Sequence, residues 1–72
     1  MWRFIYRHVG TQRDLVLEFP DWAGAYAGMR DFIAALRPRS LASLQNACEN
    51  FPKDKPVSIT DGENYFWIQN GV

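Results

Sequence analysis

The sequence predicts an α+β domain with the element order ββααββ, in which a four-stranded antiparallel sheet carries both helices packed on one face. Three observations lead there. Aromatic and β-branched runs occupy both ends of the chain. The middle carries apolar residues at spacings of three and four. Prolines and glycines mark the boundaries between these stretches. At 72 residues there is material for one hydrophobic core, so the chain reads as a single domain, 1–72.

The first element pair is a hairpin. Trp2 to Val9 and Gln12 to Phe19 have strand character, and Gly10-Thr11 between them suits a two-residue type II′ turn with Gly10 at positive φ. Pairing Val9 with Gln12 then sets the whole register. Tyr6 faces Leu15, Phe4 faces Leu17 and Trp2 faces Phe19 on one side. On the other, Arg7 faces Asp14, Ile5 faces Val16 and Arg3 faces Glu18. One register thus yields an apolar face and two opposite-charge pairs.

Pro20 ends the strand and Asp21 is a good helix N-cap. Trp22, Ala25, Tyr26, Met29, Phe32, Ile33 and Leu36 form the apolar stripe of the first helix. Pro38 ends it by pushing Arg37 out of the α region. Ser40 can cap a shorter helix whose stripe is Leu41, Leu44, Ala47, Cys48 and Phe51. Pro52 and Pro56 bracket the polar linker Lys53-Asp54-Lys55. A second hairpin follows, Val57 to Thr60 and Tyr65 to Gln69, turning around Asp61-Gly62. A two-residue turn and a four-residue loop through Asn64 both place Val57, Ile59, Phe66 and Ile68 on one face. A three-residue loop would instead group Val57 and Ile59 with Tyr65 and Trp67. The first grouping is preferred because it leaves Ser58, Thr60 and Gln69 on the polar side. The four-residue loop pairs Ile59 with Phe66 and Val57 with Ile68.

Composition narrows the function classes. Eight Lys+Arg balance eight Asp+Glu, which argues against a strongly basic nucleic-acid binder and against an acidic nucleic-acid mimic. One Cys excludes an intrachain disulfide, and one Cys with one His gives no patterned metal site, so no cofactor is expected. The single Cys and the lack of an apolar leader point to a reducing, cytoplasmic compartment, and no stretch is apolar enough for a membrane.

Tyr65-Phe66-Trp67-Ile68 is the most informative run, because neighbours on a strand point to opposite faces and the helices can cover only one of them. With Phe66 and Ile68 inward, Tyr65 and Trp67 lie on the open face, beside Ile5 and Val16 if the hairpins adjoin. Arg3 and Arg7 share that face and form its rim. The expectation is a non-enzymatic protein-binding module, an inhibitor or regulatory adaptor, whose partner is another protein or a second copy of the chain. The alternative is a single-stranded nucleic acid stacked on the same rings, although Asp14 and Glu18 oppose the arginines.

The remaining features have simpler readings. Arg37 and Arg39 complement a helix C-terminus. His8 is a solvated turn residue beside Arg13, and Cys48 is a small buried hydrophobe. Asp61-Gly62 lacks the further oxygen ligands of a calcium loop. Gly24 and Gly28 make a close-approach surface on the first helix, for the second helix or for a partner.

Overall fold

The structure is a computed structural model that describes residues 1–71. It has the expected order: β1 (Trp2–His8), β2 (Leu15–Phe19), α1 (Trp22–Leu36), α2 (Leu41–Glu49), β3 (Val57–Thr60) and β4 (Asn64–Asn70). The strands form one antiparallel sheet in the order β2-β1-β4-β3. The first and last strands are therefore the central pair, joined from Trp2↔Asn70 through Ile5↔Trp67 to His8↔Asn64.

The first hairpin keeps the register that its side-chain pattern dictates, and the second adopts one of the registers its sequence left open. In the first, Trp2, Phe4 and Tyr6 oppose Phe19, Leu17 and Leu15, while Ile5 opposes Val16 and Arg3 opposes Glu18. In the second, Ile59 pairs with Phe66 and Val57 with Ile68, the arrangement of the four-residue loop. The first turn differs from expectation. Its closing bond runs from the Thr11 N–H to the His8 carbonyl (3.0 Å), which centres it on Val9-Gly10. Gly10 is not left-handed; among the described glycines that conformation belongs to Gly62, with φ 93°. The cause is a competing partner. The Val9 N–H donates to the Glu63 carbonyl (2.7 Å), so this end of β1 follows β4 and the ladder to β2 stops at Tyr6↔Leu15.

These bonds also settle which backbone groups point where. Val9 bonds Glu63, and the Gly71 N–H donates to the Met1 carbonyl (2.8 Å), so the odd-numbered residues of β1 face β4. Antiparallel ladders alternate, so the even residues of β1 bond Leu15, Leu17 and Phe19. The main-chain groups of Val16 and Glu18 then point away from the sheet. By the same alternation Val57 and Ile59 bond β4, and those of Ser58 and Thr60 point outward.

Asp21 caps α1, its carboxylate accepting from the Gly24 N–H at 2.7 Å. The helix ends at Arg37, whose φ of 53° and ψ of 54° are left-handed. Proline does exclude the α region there, but the chain turns rather than extends. Ser40 stands at the start of α2 without making a side-chain cap. Trp22, Ala25, Met29 and Ile33 from α1 and Leu44 and Cys48 from α2 close over Phe4, Phe66 and Ile68 to form the core. Tyr26 stacks on Trp22 (5.0 Å) and donates to the Cys48 carbonyl (3.0 Å), tying the helices together. The surface at Gly24 and Gly28 receives Phe19 of β2 rather than α2, and a Cβ at Gly28 would stand 2.6 Å from its Cζ.

The helix layer covers the outer strand β2 at Phe19 but not at Leu15 and Leu17. Leu15 and Leu17 are each 40% exposed, although Leu17 stands opposite the fully buried Phe4.

Candidate partner-binding face

The sheet surface opposite the helices is organised in rows that run across the strands. The central row is Val16, Ile5, Trp67 and Ser58, one residue from each strand in the order β2-β1-β4-β3. One flanking row aligns Arg7 with Tyr65 and Thr60, and Asp14 joins it through its side chain. The other flanking row is Glu18, Arg3 and Gln69. The alternation of side chains along each strand puts all six predicted residues on this face. The apolar row is central because the two hairpins meet at β1 and β4.

Tyr65 and Trp67 are half-buried and stack on each other, with centroids 6.0 Å apart and planes 15° apart. The Arg7 guanidinium lies 5.7 Å from the Trp67 centroid. Asp14 fixes that guanidinium in a two-bond clamp, accepting from Nε at 2.6 Å and from a terminal nitrogen at 3.0 Å. The hydrogen bond from Arg7 holds the Asp14 carboxyl below the usual carboxylate range, and the same bond raises Arg7. The result is a flat cation–π platform whose charge is already neutralised. Arg3 is not part of it. It sits a row away, its Nε 3.7 Å from Glu18 and short of a hydrogen bond. Ile5 is half-buried between Val16 and Trp67, while Val16 is 46% exposed at the sheet edge. A shallow hollow of about 230 Å³ lies among Ile5, Arg7, Asp14, Trp67 and Gln69.

A larger groove, about 590 Å³, wraps the outer edge of β3. Leu44, Ala47 and Ile59 line it on the helix side, and Ser58, Thr60, Tyr65 and Trp67 continue it onto the open face. One end is built by a polar cluster that local sequence patterns do not announce. The Asp61 carboxylate accepts from the Ser40 hydroxyl (2.6 Å) and from the backbone N–H groups of Glu63 (2.9 Å) and Asn64 (2.7 Å). It also accepts from the Asn64 side-chain nitrogen (3.1 Å), and the Oδ1 of the buried Asn64 accepts a hydrogen bond from the Tyr6 hydroxyl at 2.6 Å. Burial alone would raise Asp61, but these donors outweigh it and hold the carboxyl well below the usual range. Burial, with Asp61 close by, raises the Tyr6 phenol.

The other candidates stay apart from the face. His8 is exposed, and its Nδ1 accepts from the Gly10 N–H at 3.1 Å. Cys48 is in the core, where burial raises its thiol above the ordinary value. No family model, curated protein or solved structure matches this chain.

Proposed function

We propose that the chain is a non-enzymatic protein-binding module, an inhibitor or regulatory adaptor, that meets its partner through the open sheet face. The observation that carries this reading is the row Val16–Ile5–Trp67, an apolar strip on the side that the helices leave bare, widened by the stacked Tyr65. Flat aromatic rings flanked by a fixed arginine concentrate contact energy at little cost in side-chain entropy. Arg7 supplies a preorganised edge and Arg3 a second cation on the rim. The ion pairs with Asp14 and Glu18 reduce the pull on a phosphate backbone, so a protein fits better than a nucleic acid.

The test compares capture of partners from the native host by wild type, Trp67→Ala and Tyr65→Ala, with circular dichroism as a check on folding. Each substitution is expected to weaken capture by about thirtyfold, corresponding to about 2 kcal/mol at an interface anchor. Undiminished capture by both variants with helical signal intact would remove the open face as the binding surface. A salt-sensitive shift with labelled oligonucleotides would replace the protein partner by nucleic acid.

A further inference from the structure

The two outer strands are unlike in a way that makes them fit each other. On β2, Leu15 and Leu17 project on the helix side and are each 40% exposed, so one edge offers apolar side chains without cover. On β3 the reverse holds: Leu44 and Ala47 of α2 stand beside Ile59 and form the helix side of a groove of about 590 Å³ that continues round the strand edge. Val16 and Glu18 aim backbone groups outward from one edge, Ser58 and Thr60 from the other. Neither strand carries a proline or a charge on its helix side, the devices that commonly protect an edge.

We propose that β2 of one copy adds antiparallel to β3 of the next, with its Leu15 and Leu17 entering the groove beside α2. Register and occupant follow from charge and face. Setting Val16 against Ser58 of the neighbouring copy brings outward-pointing backbone groups together and keeps both open faces on the same side. Leu15 then meets Ile59 and Leu17 meets Val57. Arg13 comes opposite Asp61, and Glu18 falls opposite Pro56, next to Lys55. Sliding by two residues one way puts Leu15 against Asp61; sliding the other way puts Arg13 against Ile59. The contact is head-to-tail, so copies add in a line whose interior members use both edges and whose two ends each keep one edge free. The contact runs through strand edges and the helix side of the groove and leaves the Arg7–Trp67 stack outside the seam, so its edge variants test it separately from the function proposed above.

Sedimentation of the full chain at rising concentration, up to about 1 mM, tests it. The average mass is expected to climb without reaching a dimer plateau; a monomer throughout overturns the proposal. Val16→Pro and Ser58→Pro each delete an outward N–H and leave the internal ladder intact. Each alone is expected to remain monomeric, and their mixture to form a one-to-one heterodimer through the edges left intact. Self-association of either variant alone, or a monomeric mixture, overturns the head-to-tail contact. Leu17→Lys and Arg13→Glu, at exposed positions, provide variants that do not disturb the backbone, each expected to weaken association by about tenfold or more. Ile5→Ala, on the open face but outside the groove, is expected to leave it unchanged, and a loss of association there would move the contact to the open face.

Discussion

Asp61 shows how much one side chain can organise. It accepts hydrogen bonds from Ser40, Glu63 and Asn64, linking the start of α2 to the β3–β4 loop and, through Asn64, to Tyr6 on β1. A carboxyl depressed by folding contributes stability that is present above its unfolded value, about 3.9, and is lost as pH falls towards the folded one. Thermal melts are therefore expected to drop as pH is lowered below about 4, and Asp61→Asn to flatten that drop. A wild-type drop retained in full by the variant would assign it to other carboxylates. At Gly28 two effects compete. Alanine improves helix propensity by about 1 kcal/mol, but its Cβ would press on the Phe19 ring. Overpacking is expected to win, with Gly28→Ala lowering unfolding free energy in urea by about 1 kcal/mol net. Neither role is visible locally: Ser40 and Asp61 are far apart in the chain, and the partner of Gly28 comes from β2 rather than from a helix.

At the scale of elements, what could be read was what two independent patterns agreed on. The first hairpin register satisfies both an apolar face and the pairs Arg3–Glu18 and Arg7–Asp14, and a one-residue slip would break both. Its turn could not be read, because the Val9 N–H is claimed by Glu63 from the other hairpin. Since Gly10 does not occupy positive φ, Gly10→Ala is expected to change stability by less than about 0.5 kcal/mol in urea unfolding. A loss well above 1 kcal/mol would restore the type II′ turn with a left-handed glycine. Residues on the open face were legible from strand periodicity alone. Their alignment into rows was not, because it depends on β1 lying beside β4. That adjacency separates Arg3 from the rings and seats Arg7 on Trp67.

For the molecule as a whole, the aromatic residues carry the architecture. Phe4, Tyr6, Phe32 and Phe66 form one cluster, with Phe66 meeting the other three at centroid distances of 6.4, 5.2 and 6.5 Å. A domain of this size has a total stability of only about 4–11 kcal/mol. Phe66→Ala, which empties a fully buried site on a central strand, is expected to remove about 3–5 kcal/mol and leave much of the chain unfolded at 37 °C by circular dichroism. A variant melting close to wild type would show that the cluster can collapse around the loss.

The pairing of the first strand with the last also governs when this fold can appear during synthesis. Residues 2–8 leave the ribosome well before their principal neighbour, residues 64–70, and until then β1 has only β2 to pair with. The nascent segment must therefore wait with its aromatic residues unsheltered, and closing the sheet's midline means joining positions as far apart as Trp2 and Asn70. Folding of this stretch waits until residue 70 has cleared the ribosome, and until then its apolar side chains are open to wrong contacts.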